Sequence, residues 1–319
     1  MNEILKQIQD IGIVPVVVLN DSKDAKPLAK ALYEGGLPCA EVTFRTEAAE
    51  ESIRLMCEEY PDMLVGAGTI LTTEQVDRAV NAGAKFIVSP GLNSKIVKYC
   101  VDKNIPITPG VTNPSDVEKA IELGLDVVKF FPAEAAGGLK MIKSMAAPYT
   151  KMKFMPTGGI DANNLNSYLA FDKIIACGGS WMVNGDLVKN GEFDKIKELT
   201  QEAVLTMLGF ELRHIGINCE NEKEAHETAD TFENLFGMRK KEGSGSIFSG
   251  TAIESMKSPY LGDKGHIAIA TNSAQRAFAY LKNKGVEFDM NTAQYNGDKL
   301  TLVYFKEQVS GFALHLVQK

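Results

Sequence analysis

The sequence predicts an α/β protein, a (β/α)8 barrel of the TIM type followed by a smaller α+β domain. Two observations predict the barrel. Eight short apolar runs follow one another from residue 13 to residue 180, and helix-length segments with apolar residues three and four positions apart lie between them. A third observation predicts the second domain, because this alternation stops at Gly209 and a different pattern follows.

The eight runs are apolar on both faces, which is typical of parallel strands covered by helices. In order they are IVPVVVL, CAEVTF, LVGAGT, FIVSPG, IPITPG, DVVKFFP, FMPTGG and IIACGGS. Eight such units in a domain of this size match the small end of the barrel class, whose active sites lie at the C-terminal ends of the strands. Residues at those strand ends are therefore the candidates for chemistry.

The segments between the runs carry helix start and stop signals. Examples are AKPLAKALYEGG, TEQVDRAVNAGA and PSDVEKAIELGL. Thr72 with Gln75 is typical of a capping box, and Pro114 suits a first helical position. Gly83 and Gly124 suit the C-terminal ends of their helices.

The part after Gly209 contains an internal duplication. LRHIGINC followed by NEKEAHETADTFENLFG and GHIAIAT followed by NSAQRAFAYLKNKG are two strand-then-helix units. Each helix precedes strand-like alternation, as in KLTLVYF and GFALHLV. We therefore expect a barrel over residues 1–208 and a domain of two βαβββ-like units over residues 209–319.

The composition indicates which kinds of partner and which cellular compartment to expect. The net charge of −7 opposes nucleic acid or an anionic membrane as the main partner, because both require a basic surface. No apolar run is long enough to span a bilayer, and the polar, acidic start differs from a signal peptide, so we expect a cytoplasmic protein. Five scattered cysteines without a CxxC pair predict reduced thiols.

The first domain has no histidine, so its acid–base chemistry must depend on carboxylates, lysine, tyrosine or water. Lys129 lies in the sixth run, DVVKFFP, near the end of the predicted strand. Apolar surroundings disfavour the charged ammonium and so favour the neutral amine that attacks a ketone. The alternatives are a lysine paired with a barrel carboxylate or one extending to solvent.

Two further charged residues belong to the second run, CAEVTFR. Glu41 is expected to point into the apolar barrel, where a carboxylate needs a partner, and Lys129 is the candidate. Arg45 follows the strand and offers a planar fork suited to a substrate carboxylate. Its alternative is an ordinary solvated arginine.

Paired glycines follow the seventh and eighth runs, in Pro156–Gly159 and Cys177–Ser180. Barrels of this class bind phosphate in these two loops, where glycine lets backbone N–H groups approach an anion. One Gly-Gly pair is also compatible with a tight turn. Two pairs in both expected loops favour a phosphate site.

These residues resemble a known family. Roughly residues 1–205 are similar to 2-keto-3-deoxy-6-phosphogluconate (KDPG) aldolase, some members of which also act on 4-hydroxy-2-oxoglutarate (KHG). The resemblance depends on several motifs in order and spacing: GAGT at 66–69, SPG at 89–91, KFFPAE at 129–134, PTGGI at 156–160 and GGSW at 178–181.

The resemblance implies a lyase that forms a Schiff base at Lys129, with Glu41 carrying protons and no metal or other cofactor required. It implies pyruvate as one product, with glyceraldehyde 3-phosphate or glyoxylate as the other, and a homotrimer. The residues implied to bind substrate are Arg45, Thr69, Pro90, Phe131, Thr157, Gly158, Gly159, Gly179 and Ser180. Some relatives have a basic residue in place of Leu19, so another sugar acid, such as phosphogalactonate, stays an alternative.

Two other functions are compatible with parts of the pattern. A phosphosugar isomerase or synthase would share the glycine loops, yet it would not need a strand-six lysine beside a strand-two glutamate. A ligand-binding regulator that has lost activity would not need Glu41, Arg45 and Lys129 together. If the barrel is such a regulator, the main chemistry would lie in a metal-dependent C-terminal domain.

All four histidines follow Gly209. The duplicated pattern resembles the vicinal-oxygen-chelate fold of glyoxalase I and bleomycin-resistance proteins. The resemblance implies a divalent metal site made of His214, Glu254, His266 and His315, and such ligands suit zinc, nickel, iron or manganese. His315 stands where that family more often has glutamate. The alternative is a metal-free binding or oligomerisation module, and His226 is expected to be solvated.

Overall fold

Eight short parallel strands form the centre of the first of two units. The computed structural model describes residues 1–319, which divide into Met1–Met207 and Leu208–Lys319. The strands of the first unit are β1 Ile13–Val17, β2 Cys39–Thr43, β3 Leu64–Gly68, β4 Ile87–Ser89, β5 Ile107–Val111, β6 Val127–Phe130, β7 Lys153–Pro156 and β8 Cys177–Gly179. They pair in the order β7-β6-β5-β4-β3-β2-β1-β8, and two isolated bridges between the flanks of β7 and β8 close the ring.

Ten helices accompany these strands. They are α1 Glu3–Ile11, α2 Ala25–Glu34, α3 Ala49–Glu59, α4 Thr73–Asn81, α5 Ser94–Asp102, α6 Pro114–Glu122, α7 Gly138–Ala146, α8 Leu165–Leu169, α9 Gly185–Lys189 and α10 Phe193–Leu208. Short 3-10 turns lie at Ser22–Asp24 and Trp181–Val183. No helix in the chain combines the length and apolar character that crossing a bilayer requires.

The predicted helix caps are present, with one shift. Asn113 caps α6, and Pro114 is its first residue. Thr72 Oγ1 accepts a hydrogen bond from Gln75 N (3.1 Å), as a capping box requires. The Gln75 side-chain oxygen, however, accepts a hydrogen bond from Leu71 N (2.7 Å) and not from Thr72 N. The second bond of the capping box is therefore shifted by one residue toward the N-terminus.

The lower half of the barrel is an apolar core. Leu5 and Ile8 of α1 pack with Val14 and other inward-facing strand residues, including Phe86. Helix α1 therefore covers the N-terminal end, as expected for a barrel filled with side chains. Polar and charged groups in the interior are left to the opposite end.

The second unit is a single eight-stranded sheet with two helices. Its strands are β9 Glu211–Asn218, β10 Lys240–Glu242, β11 Ser246–Ser249, β12 Ile253–Met256, β13 Gly265–Thr271, β14 Phe288–Asn296, β15 Lys299–Val309 and β16 Phe312–Gln318. Helix α11 spans Glu222–Phe236 and α12 spans Ala274–Asn283. The strand order is β10-β11-β12-β9-β13-β16-β15-β14.

The sheet order has the symmetry of a duplication. Strands β9 and β13, the first strand of each half, pair antiparallel at the centre. The last strand of each half lies parallel to its own first strand, β12 beside β9 and β16 beside β13. The predicted fold class, a (β/α)8 barrel followed by a smaller α+β domain, is confirmed.

Candidate active site

A lysine and a glutamate meet inside the C-terminal half of the barrel. Lys129 Nζ of β6 lies 3.2 Å from Glu41 Oε1 of β2, and the two residues are 5% and 1% exposed. The other carboxylate oxygen, Oε2, is buried without a hydrogen-bond partner. Lys129 therefore does not extend to solvent, and Glu41 keeps one acceptor free for another group.

Glycine at position 68 makes room for this pair. β2 and β3 pair with Glu41 opposite Gly66 and Thr43 opposite Gly68, so Gly68 lies two residues further along β3 than the residue opposite the glutamate and on the same face. A Cβ placed on Gly68 would lie 2.2 Å from Glu41 Oε1, much closer than any real contact. The bare backbone at this point therefore allows a carboxylate to occupy the barrel interior.

A cavity of about 200 Å³ opens above Lys129 at the C-terminal ends of the strands. Besides the lysine, it is lined by all nine residues implied to bind substrate: Arg45, Thr69, Pro90, Phe131, Thr157, Gly158, Gly159, Gly179 and Ser180. Glu41 is absent from the lining and is buried beside the lysine. The structure thus places the sequence candidates of the first domain around one space.

One side of the cavity carries Arg45 and Thr69. Arg45 is exposed at the rim, and its Nε donates to Thr69 Oγ1 at 3.2 Å. Thr69 has φ 57°, a left-handed conformation that is uncommon for a β-branched residue and tends to occur at functional sites. This backbone conformation costs free energy, and it occurs where the Thr69 hydroxyl accepts a hydrogen bond from the Arg45 guanidinium.

Another side is formed by the two glycine loops. Gly158 and Gly159 have φ 102° and 78°, which only glycine adopts readily. A Cβ on Gly178 would lie 2.3 Å from Thr157 Oγ1, so the first residue after β7 packs closely against β8. That hydroxyl is buried without a partner. Backbone groups and a hydroxyl therefore converge where a phosphate would fit.

The cavity also contains residues that the sequence did not mark as candidates. Val16, Val18 and Ile160 complete the lining, together with Gly178 of the second glycine pair. The first two belong to the IVPVVVL run, where alternate residues of a barrel strand point inward, so periodicity was an available signal. The sequence gives no comparable signal for glycine at position 68, because that requirement depends on the Glu41 side chain filling the adjoining space.

Fold and site together define a class of enzyme. A buried lysine beside a carboxylate, at the C-terminal end of a (β/α)8 barrel, is suited to forming a Schiff base with a ketone. An arginine at the cavity rim suits a carboxylate on the same molecule. The arrangement is that of a carbon–carbon lyase of the class I aldolase type.

Comparison with known proteins identifies the family. The model of the KDPG and KHG aldolase family matches residues 3–199, and the chain belongs to that family. It is 50% identical over 202 residues to 2-dehydro-3-deoxy-phosphogluconate aldolase of Haemophilus influenzae, covering 63% of this chain and 95% of the relative. The aldolase of the same name from Treponema pallidum is 46% identical over 204 residues, covering 64% of this chain and 97% of the relative.

Solved structures agree with this placement. KDPG aldolase from Legionella pneumophila, with pyruvate captured at low pH as a covalent carbinolamine, has a TM-score of 0.61 and 37% identity, covering 62% of this chain and 97% of its own. The KDPG aldolase of Zymomonas mobilis with 3-phosphoglycerate has a TM-score of 0.58 and 42% identity, covering 62% and 94%.

A second cluster of functional side chains lies in the C-terminal unit. His214 Nε2 of β9 and His266 Nε2 of β13 are 3.1 Å apart, and each lies near Glu254 Oε2 of β12, at 3.2 and 3.1 Å. Nitrogens of His214, His266 and His315 all lie within 4.8 Å of one another. The four residues that the resemblance implied as ligands are therefore neighbours.

The donor set suits a divalent cation. His315 Nε2 is buried without a hydrogen-bond partner, an arrangement that is costly unless a ligand fills the gap. Burial, together with the nearby His266, lowers the pKa of His315 to about 4, so its ring is neutral at pH 7. Burial alone would raise the pKa of Glu254, but hydrogen bonds from His214 and His266 outweigh it and hold that pKa well below its usual range.

Two other residues complete the description of this cluster. A Cβ on Gly216 would lie 2.1 Å from His266 Cε1, so β9 needs a glycine beside the histidine of β13. The Tyr304 ring lies against His315, with centroids 4.5 Å apart. His226 lies outside the cluster, 3.4 Å from Glu242, and is partly exposed.

Proposed function

We propose that the barrel cleaves 2-keto-3-deoxy-6-phosphogluconate into pyruvate and glyceraldehyde 3-phosphate. The observation that carries this proposal is the buried Lys129–Glu41 pair beneath one cavity. Arg45 on one side of the cavity would hold the substrate carboxylate, and the loops with Gly158, Gly159 and Ser180 would hold the phosphate. A substrate with a ketone between these two anionic ends matches this arrangement.

The first half of the reaction forms the imine. Neutral Lys129 attacks C2 of the keto acid, so that an N–C bond forms and the carbonyl oxygen becomes a hydroxyl. Glu41, 3.2 Å from the lysine nitrogen, takes up and returns the protons needed to expel that hydroxyl as water. The product is a cationic imine.

The second half breaks the carbon chain. Glu41 accepts the proton of the C4 hydroxyl, C4 becomes the aldehyde carbon, and the C3–C4 electron pair moves into an enamine. The cationic imine supplies the polarisation that a metal supplies in other lyases. Protonation of C3 and addition of water to the imine release pyruvate and the free lysine.

The same chemistry applies to KHG, which yields pyruvate and glyoxylate. It would use the Lys129–Glu41 pair and Arg45 and leave the phosphate loops empty. Leu19, two residues after the end of β1, is apolar and fully buried, so this position offers no charge to the sugar hydroxyls. Cleavage assays with KDPG and with the corresponding phosphogalactonate would decide the C4 configuration of the substrate.

Borohydride trapping tests this proposal directly. We would incubate the full chain with pyruvate and borohydride, and map the adduct by mass spectrometry. We expect one reduced pyruvate on Lys129, none in Lys129→Ala, and the wild-type result in Lys153→Ala, which removes a lysine from the first position of β7. A folded wild-type protein without an adduct on Lys129 would contradict the proposal.

We infer that the chain comprises an aldolase barrel over residues 1–208 and, over residues 209–319, a vicinal-oxygen-chelate domain that binds one divalent metal ion. Two βαβββ halves with antiparallel central strands support the fold. The proximity of His214, His266 and His315 to one another, and of Glu254 to the first two, supports the metal site. Such an ion would act as a Lewis acid toward an oxygen ligand.

Metal analysis tests the second proposal. Purified protein equilibrated with Zn²⁺, Ni²⁺, Fe²⁺ or Mn²⁺ in turn and then desalted should retain about one ion per chain. His214→Ala should lose it, whereas His226→Ala should keep it because that histidine lies outside the cluster. Wild-type protein that retains no ion of the four would support the metal-free binding or oligomerisation module instead.

We further propose a cytoplasmic homotrimer. The family resemblance supports the trimer, and the absence of any disulfide among the five cysteines is compatible with a reducing compartment. Sedimentation equilibrium of the full chain would give three chain masses. A monomer at micromolar concentration would contradict it.

A further inference from the structure

A tyrosine–glutamate pair lies directly behind the glycine loop that follows β7. Tyr168 of α8 is 2% exposed, and its hydroxyl donates a hydrogen bond to Glu134 Oε1. Glu134 belongs to the segment between β6 and α7, a few residues after Lys129. Neither residue lines the cavity, so the aldol chemistry described above does not use them directly.

Glu134 is joined to the loop by its backbone. Its N–H donates to Gly158 O at 3.0 Å, and the preceding Ala133 N–H donates to Thr157 O at 2.8 Å. In a trans peptide the C=O and the next N–H point in opposite directions. With Gly158 O held toward Glu134, the Gly159 N–H points away from Glu134, and no acceptor within the protein receives it.

The Glu134 side chain is in turn pressed against the loop. A Cβ on Gly159 would lie 2.6 Å from Glu134 Cγ, so the glycine backbone packs directly on the side chain. On the opposite side, Asn164 Nδ2 donates to Gly159 O at 2.9 Å. The Gly159 peptide thus contacts both Glu134 and Asn164, and the Glu134 side chain in turn accepts a hydrogen bond from the Tyr168 hydroxyl.

We propose that Tyr168 and Glu134 are positioning residues that aim the Gly159 N–H at the phosphate of the substrate. This inference rests on the phosphate subsite proposed above. It adds two residues that contact the glycine loop without lining the cavity. Burial, followed by the hydrogen bond to Glu134, raises the pKa of Tyr168, so the hydroxyl stays protonated and remains a donor at neutral pH.

The test compares a phosphorylated substrate with an unphosphorylated one. In Tyr168→Phe the ring still fills its buried site, but the Glu134 side chain loses the hydrogen bond from the Tyr168 hydroxyl. We expect KM for KDPG to rise about tenfold, the size of one ordinary hydrogen bond, with kcat changed less than about twofold. KM for KHG and the rate of pyruvate trapping on Lys129 should stay at wild-type values, because neither involves phosphate.

Two further variants make the result specific. Glu134→Gln keeps an oxygen acceptor for Tyr168 and should keep the wild-type KM for KDPG, whereas Glu134→Ala should reproduce the Tyr168→Phe effect. Tyr149→Phe is the matched control, since it removes another hydroxyl that donates to a glutamate (Glu118, 3.1 Å) on the barrel surface. It should leave both KM values unchanged.

The outcomes separate this inference from the proposed function. If Tyr168→Phe raises KM for KDPG and KHG equally, or changes neither, the positioning role is wrong even though Lys129 traps pyruvate. If the wild-type protein neither traps pyruvate nor cleaves KDPG, the aldolase proposal itself fails.

Discussion

Gly68 and Glu41 compete for one space at the end of β3. A Cβ on Gly68 would lie 2.2 Å from Glu41 Oε1 and 2.8 Å from both Cδ and Cγ of the same side chain. The carboxylate cannot move far, because it is 1% exposed and bonded to Lys129. The missing side chain at position 68 is therefore a condition of the Lys129–Glu41 pair.

Gly68→Ala should consequently slow the reaction of the barrel while leaving it folded. The added methyl displaces the carboxylate from the lysine, and a misplacement of about 1 Å costs roughly 10²-fold in rate. Steady-state cleavage of KDPG with circular dichroism as a folding check would measure this. Gly185→Ala, where an added Cβ meets no atom within 4 Å, is the control and should retain full activity.

Glu41→Gln should distinguish the space-filling role of the Glu41 side chain from its role in proton transfer. The amide occupies the same volume, but it neither accepts nor returns a proton, so kcat should fall roughly 10²–10⁴-fold. Glu51→Gln on the exposed side of α3 is the control. Rates within tenfold of wild type for Glu41→Gln would assign the proton transfers to another group.

Arg45→Lys should weaken the substrate carboxylate subsite. Lysine keeps the charge but loses the planar fork and the bond to Thr69 Oγ1, so KM for pyruvate in the trapping assay should rise about tenfold. Arg78→Lys, which alters an exposed arginine bonded to Glu50, should have no effect. An unchanged KM in Arg45→Lys would mean that Arg45 is an ordinary solvated arginine.

Gly216→Ala should abolish metal retention in the C-terminal unit. The new methyl would lie 2.1 Å from His266 Cε1, so the imidazole has to turn away from His214 and Glu254. Metal content per chain measures the effect, and cleavage of KDPG by the same sample should be unaffected. Gly245→Ala, whose Cβ would meet nothing within 4 Å, should keep the ion. Full metal content in Gly216→Ala would remove His266 from the proposed ligands.

Much of the fold was predictable from local pattern. Apolar runs separated by amphipathic helices predict a barrel, because parallel strands covered by helices are apolar on both faces. The duplication after Gly209 predicts two related halves in the same way. The capping box at Thr72 shows the limit: its residue types were right, but the Gln75 side chain bonds Leu71 N.

The candidate site, like the fold, has some features that the sequence predicts and others that only the structure shows. Lys129 stands out in sequence as a cation in an apolar strand, and the glycine pairs stand out as loops after strands seven and eight. Which groups touch was decided by the register of strands distant in the chain. Lys129 and Glu41 are 88 residues apart, and His214 and His266 are 52 apart.

The sequence by itself therefore determined the class of fold, the kind of catalyst and the end of the barrel where it acts. Only the tertiary structure decided the free oxygen of Glu41, the space left by Gly68 and the support of the glycine loop by Tyr168 and Glu134. Periodicity depends on each residue's own preference for water or core, which is local. Contacts inside a closed barrel depend on how several strands share one volume, and that information exists only once they are packed together.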